Sequence, residues 1–124
     1  MQTFTKAERL CSKVLIEDVF AKGKTISLPS FKLLWLETKE KQDFPLQVVI
    51  TVPKRNFKKA VDRNKLKRRI REAYRKNKAS VYEKIGSKSY SLMLIYTGKN
   101  IAEYKEIEEK IIKLLQRLVA ETGH

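Results

Sequence analysis

A chain of 124 residues with one cysteine and a formal net charge of +14 has room for one modest core, read here as a single domain over residues 1–124, and cannot close an intrachain disulfide. No apolar run approaches the roughly 18 residues of a membrane span. The N-terminal stretch MQTFTKAERLCSKVL mixes charges of both signs and lacks the apolar centre of a secretory signal, so a reducing cytoplasm is the expected compartment.

The first predicted element is a helix from Lys6 to Ala21. Thr5 and Glu8 stand at capping-box spacing, and Gly23 supplies a stop. Ala7, Leu10, Cys11, Val14, Leu15 and Val19 share a broad apolar face. Ile16 and Phe20 form an i, i+4 pair off its edge. The plainer reading puts both in the core, and the alternative makes them the edge of a binding groove. Two strand-like runs follow, SFKLLWLET at Ser30–Thr38 and PLQVVITV at Pro45–Val52, rich in β-branched and large apolar residues. The polar segment Lys39–Asp43 between them suggests a hairpin. Thr25–Leu28 carries only a faint strand pattern, and Pro53 ends the second run.

The next helix, Val61–Val81, holds most of the charge. From Lys54 to Lys78 there are 13 Lys and Arg against two acids, Asp62 and Glu72, a net +11 in 25 residues. The other 99 residues carry 15 basic against 12 acidic, a net +3. On a helical wheel Leu66, Ile70, Ala73, Tyr74 and Val81 make one apolar stripe. Arg63, Asn64, Lys67, Arg68, Arg71 and Arg75 lie on one flank; Lys65, Arg69 and Lys76 lie on the other. A solvated face interleaves signs, because like charges at i, i+4 repel. Here Arg63, Lys67, Arg71 and Arg75 repeat like charge at that spacing. Such a surface fits a polyphosphate, whereas basic membrane helices carry a broad insertable apolar face. Arg predominates on the first flank, and guanidinium can grip a phosphate with two hydrogen bonds. The deep major groove of RNA does not admit a helix, so this one is expected to lie across backbone strands.

A further strand, YSLMLIY at Tyr90–Tyr96, and a last helix, Ala102–Ala120, complete the chain. Tyr104, Ile107, Ile111, Leu114, Leu115 and Leu118 form the apolar stripe of that helix. Glu103, Glu106, Glu108 and Glu109 crowd its start while Lys110, Lys113 and Arg117 fall later, complementing the helix dipole. The order is α-β-β-(β)-α-β-α, an α+β sandwich of helices on a small central sheet.

The catalytic inventory is thin. A self-contained nuclease needs metal-binding carboxylates or a His acid/base pair. His124 is the single histidine and the final residue. Asp62 stands where it can cap the start of the basic helix, and Glu72 sits among arginines with which it can pair. There is no Gly-rich phosphate loop, no Ser-His-Asp set and no Cys/His zinc spacing. The residues alone describe an RNA-binding protein without an active site of its own.

The segment AVDRNKLKRRIREAYR resembles the signature of the protein subunit of bacterial ribonuclease P. That family carries Arg-Asn-Arg followed by apolar-Lys-Arg-x-x-Arg on its central helix. Here Arg63, Asn64, Lys65, Leu66, Lys67, Arg68 and Arg71 stand at those positions. Glu8–Leu10, VFAKG at Val19–Gly23 and ITVPKR at Ile50–Arg55 have counterparts too, so the resemblance covers residues 4–120. It implies a holoenzyme that removes the 5′ leader of precursor tRNA by hydrolysing one phosphodiester bond. The RNA subunit is the catalyst and binds most of the Mg²⁺. The protein, a monomer in a 1:1 ribonucleoprotein, holds the leader in a cleft between the central helix and the sheet. The implied RNA-binding set is Arg63, Asn64, Lys65, Lys67, Arg68, Arg71 and Arg75 with Lys54, Arg55 and Phe20. A left-handed βαβ crossover around the basic helix is also implied. Two departures stand out. Lys65 replaces the second arginine of the motif, keeping charge but losing the fork. Ile16 and Leu34 are aliphatic where aromatics often face the leader, which weakens base stacking. The competing reading is a structural ribosomal or general RNA-chaperone protein.

RNA affinity should fall steeply with ionic strength, with a log–log slope of about −0.7 to −0.9 per phosphate neutralised. Filter binding across a salt series measures it, and a nearly flat response would exclude the basic window as the contact surface.

Overall fold

The structure is a computed structural model that describes residues 13–38, 46–85 and 88–122. In chain order the elements are α1 (Lys13–Lys22), β1 (Lys24–Leu28), β2 (Phe31–Thr38), β3 (Leu46–Thr51), α2 (Ala60–Ile85), β4 (Ser89–Tyr96) and α3 (Tyr104–Glu121). The Thr5–Glu8 capping pair, Ala7, Leu10, Cys11 and the Lys39–Asp43 segment lie outside the described residues, as do the side chains of Val14 and Leu15.

The four strands form one mixed sheet in the order β1-β2-β4-β3. The faint pattern at Thr25–Leu28 is a true edge strand, antiparallel to β2 from Lys24↔Trp35 to Leu28↔Phe31. The expected hairpin between β2 and β3 does not form. β4 lies between them, antiparallel to β2 and parallel to β3. The reason is burial: β4 is buried along nearly its whole length, and a strand apolar on both faces belongs in the sheet interior. Placing β4 there makes β3-α2-β4 a parallel crossover, with the basic helix as its connection.

Side chains alternate across the sheet. In β2, Leu33 and Trp35 point into the main core under α2 and α3. Leu34 points to the other face, where it meets Val19 of α1 and Met93 of β4. Helix α1 therefore packs on one face of the sheet, and α2 and α3 pack on the other. In the main core Phe31 meets Tyr96 edge-on at 5.1 Å between ring centres, and Trp35 meets Tyr90 likewise at 5.6 Å.

Leu66, Ile70, Ala73, Tyr74 and Val81 are all buried, as the wheel requires, and α2 runs one turn further to bury Ile85. Lys78, the last residue of the charged window, is only 6% exposed. Its aliphatic stem can lie along the buried stripe, and its Nζ stands 5.8 Å from the centre of the Tyr82 ring. On α3 the buried stripe is Ile107, Ile111, Leu114, Leu115 and Leu118, with Tyr104 half-buried.

Two backbone positions fix the start of the sheet. The Gly23 amide donates to the Val19 carbonyl over 2.9 Å, which ends α1 directly against β1. A Cβ at Gly23 would sit 2.4 Å from the Val19 oxygen and 3.1 Å from that of Trp35. Both obstacles are backbone and cannot swing away. Ser30, in the β1–β2 turn, has φ of 72°, a left-handed conformation costly for any residue with a Cβ. Its carbonyl is held by the Thr97 amide at 2.8 Å. Gly23→Ala should therefore destabilise the fold by about 2 kcal/mol or more. Ser30→Gly should stabilise it by about 0.5 kcal/mol after the extra freedom of the unfolded chain is counted. Urea denaturation of the two variants would give opposite signs.

Candidate nucleic-acid interface

The interface begins where β3 ends. Pro53 has no N–H to continue the ladder, and its carbonyl accepts from the amides of Asn56 at 3.2 Å and Phe57 at 3.3 Å. The turn drives Phe57 inward, where its ring lies 6.0 Å from that of Tyr96. With Phe57 buried, its neighbours Lys54, Arg55, Lys58 and Lys59 are left exposed. Lys58 and Lys59 were not among the residues singled out from sequence, although they lie in the same charged window.

Arg63 locks this loop to the helix. Its guanidinium donates to the carbonyl of Phe57 at 2.7 Å and of Lys58 at 2.9 Å. The first turn of α2 carries Asp62, a favourable position for a carboxylate in the helix dipole. Between Lys54 and Arg71 there are ten basic residues and this single acid.

The structure divides the charges of α2 into two groups. The first is engaged within the fold. Arg69 donates to the Ala102 carbonyl ahead of α3 at 2.5 Å, and Lys76 stands over the Tyr104 ring at 5.6 Å. Next to Lys76, Asn77 donates to Glu108 at 3.3 Å, and Glu108 also accepts from the Tyr104 hydroxyl at 3.2 Å. This flank carries α3. Arg75 and Glu72 form a two-bond pair, Nε to Oε2 at 3.0 Å and Nη2 to Oε1 at 2.5 Å. The bond from Arg75 holds the Glu72 carboxyl below its ordinary range and raises the Arg75 guanidinium.

The second group is Asn64, Lys65, Lys67, Arg68 and Arg71. Among the described residues none of these has a hydrogen bond or ion pair within the fold. Asn64, Lys65 and Arg68 are exposed, and Lys67 and Arg71 are half-buried. At about 100° per residue, Asn64, Lys67, Arg68 and Arg71 lie roughly 100° to 160° around the helix from Arg69, turned away from α3. Lys65 stays within about 40° of Arg69.

The remaining expected site residue sits in another layer. Phe20 is 70% exposed, so the core reading fails for it: among the described residues the contact of α1 with the sheet centres on Val19. Ile16 is half-buried against that same cluster, as the core reading requires. Leu34 lies beneath α1 at 8% exposure and offers no face for stacking. Phe20 and α2 flank opposite faces of the sheet, whose edge on the α2 side of the crossover is β3. On that edge Gln47, Val49 and Thr51 alternate onto the α1 face. Among the described residues no three His, Cys, Asp or Glu side chains gather as a metal site, and no helix is long and apolar enough to cross a membrane.

A family model for ribonuclease P matches residues 4–119. The ribonuclease P protein component of Petrotoga mobilis is 34% identical over 121 residues, covering 96% of this chain and 98% of that one. The Thermotoga maritima component is 30% identical over 122 residues, covering 94% and 97%. The solved ribonuclease P protein of Thermotoga maritima superposes with a TM-score of 0.71 at 29% identity, covering 89% of this chain and 96% of that one. That of Staphylococcus aureus superposes at 0.74 with 22% identity, covering 91% and 96%, a likeness of fold.

The division of α2 gives Arg69 and Lys76 contacts within the fold that the helical wheel does not show. Arg69→Lys keeps the charge but should lose the bond to Ala102, costing about 1 kcal/mol of stability. Arg68→Lys should leave stability unchanged. Thermal denaturation of both variants tests the assignment, and equal effects would refute it.

Proposed function

This chain belongs to the ribonuclease P protein family, and from that premise we propose that it binds the catalytic RNA subunit and the 5′ leader of precursor tRNA. It assists removal of the leader without performing the chemistry itself. The observation that carries this reading is the unpartnered set Asn64, Lys65, Lys67, Arg68 and Arg71, next to a rigid loop presenting Lys54, Arg55, Lys58 and Lys59. Folding satisfies Arg63, Arg69 and Arg75 internally, yet leaves these donors free for phosphate oxygens. Exposed Phe20 stands on the far side of the β3 edge, placed to stack on a base of a strand that crosses it.

The carboxylates of the described residues do not assemble into a set that fits Mg²⁺. In the holoenzyme we assign that ion mainly to the RNA subunit, with the protein's positive field offsetting phosphate repulsion as the RNA folds around substrate. The proposed assembly is one protein per RNA, in the cytoplasm.

Adding this chain to a ribonuclease P RNA should lower the Mg²⁺ concentration needed for precursor-tRNA cleavage, and a generic basic protein of equal charge should do far less. Protein without RNA should not cleave. Arg68→Ala and Arg71→Ala should impair assembly or leader binding while circular dichroism stays native, because neither lies on the Leu66–Ile70–Tyr74 seam. Arg68→Lys, which removes only the fork, should cost about 1–2 kcal/mol of RNA affinity. Multiple-turnover cleavage by RNA-free protein, or full function in Arg68→Ala together with Arg71→Ala, would defeat the proposal.

A further inference from the structure

Glu72 is the only acid between Asp62 and Glu83 on α2, and a basic residue stands at each of its helical neighbour positions. Arg68 and Arg69 lie four and three residues before it, and Arg75 and Lys76 three and four after it. Two of the four are turned to other partners. Arg69 donates to the Ala102 carbonyl at 2.5 Å, and Lys76 stands over the Tyr104 ring at 5.6 Å. Of the remaining two, Glu72 takes Arg75. Both carboxylate oxygens accept from that guanidinium, at 3.0 Å and 2.5 Å. The fork that could grip a phosphate is therefore closed on a carboxylate, while Arg68 stays exposed.

This choice sets the length of the free surface. Arg63, Lys67, Arg71 and Arg75 form one row at i, i+4, and both ends of the row are tied within the fold. Arg63 donates to the Phe57 and Lys58 carbonyls at one end, and Arg75 meets Glu72 at the other. Between them the unpartnered donors run from Asn64 to Arg71, roughly 10 Å along the helix. The side chains of Arg75 and Glu72 are 29% and 42% exposed, and an ion pair in that setting adds little to stability. Its effect falls instead on what the helix offers to a ligand. Phosphate contacts carry no sequence information, so each further free cation strengthens binding to any RNA strand alike.

We propose that Glu72 is a specificity determinant: by holding Arg75 it ends the phosphate-binding row at Arg71 and limits sequence-independent RNA binding. The inference rests on the reading of the basic helix as the RNA contact. Glu72 lies off the Leu66–Ile70–Tyr74 seam, so its replacement leaves the packing of α2 on the sheet intact.

The full chain is titrated with oligouridylate across a salt series, with circular dichroism to verify the fold of each variant. Glu72→Ala should bind about fivefold tighter than wild type at low salt. Its log–log salt slope should steepen by about 0.7, the increment for one more phosphate neutralised on a single strand. Glu72→Gln, which keeps the size of the side chain, should shift both quantities in the same direction. Glu83→Ala removes the same charge from an exposed position about three turns further along α2, and should leave the slope unchanged. Glu72→Ala combined with Arg75→Ala should return affinity and slope to wild-type values. A Glu72→Ala slope no steeper than that of Glu83→Ala, or a double variant that keeps the gain, would overturn the proposal. A flat salt response of the wild-type chain is a different failure: it refutes the basic helix as the RNA contact, and the role of Glu72 falls with it.

Discussion

Everything on the basic side depends on how a helix of like charges is held to the sheet. Arg63, Lys67, Arg71 and Arg75 repel in sequence, each i, i+4 pair costing about 0.2–0.5 kcal/mol. Against this stands the seam of Leu66, Ile70 and Tyr74, each with no exposed surface. A fully buried side chain of that size contributes about 1.5–3 kcal/mol, so two of them outweigh the whole row of repulsions. The helix is long enough to span the sheet and bury Val81 and Ile85 at its far end. Its free charges can therefore remain unneutralised without loosening the fold.

The arginines of this helix look alike in sequence and do different work. Arg63 ties the preceding loop to the first turn. Arg69 ties the helix to the chain entering α3. Arg75 closes on Glu72 within the helix itself. Arg68 and Arg71 have none of these partners. The guanidinium fork serves carbonyls and carboxylates within the fold as well as phosphates outside it, so residue type alone does not separate the two uses. What each side chain can reach does: Arg63 reaches the preceding loop, Arg69 the chain entering α3 and Arg75 the carboxylate one turn back, whereas Arg68 and Arg71 meet none of these.

The two ends of the sheet differ in the same physical terms. At one end β3 and β4 finish and α2 begins, and the helix dipole adds to the cations of the loop. At the other end α1 and α3 finish, bringing the negative ends of two helices toward a rim where lysines and glutamates are mixed. One end favours phosphate chains by charge alone. The other carries both signs together and has no such bias.

The sequence by itself determined the elements and their faces. Periodicity placed Leu66, Ile70, Ala73, Tyr74 and Val81 on one buried stripe and set Leu34 and Trp35 on opposite faces, because the helical and strand repeats are local properties of the backbone. The charge excess between Lys54 and Lys78 was equally legible, since it is a count. Tertiary structure alone decided that β4 enters between β2 and β3, because strand pairing joins segments tens of residues apart and a local turn pattern such as Lys39–Asp43 carries no record of it. It also decided that Phe20 is exposed, that Lys78 is buried, and that Arg69 belongs to α3 while Arg68 does not. Each depends on what another element brings alongside, and that is set when helices and sheet pack together.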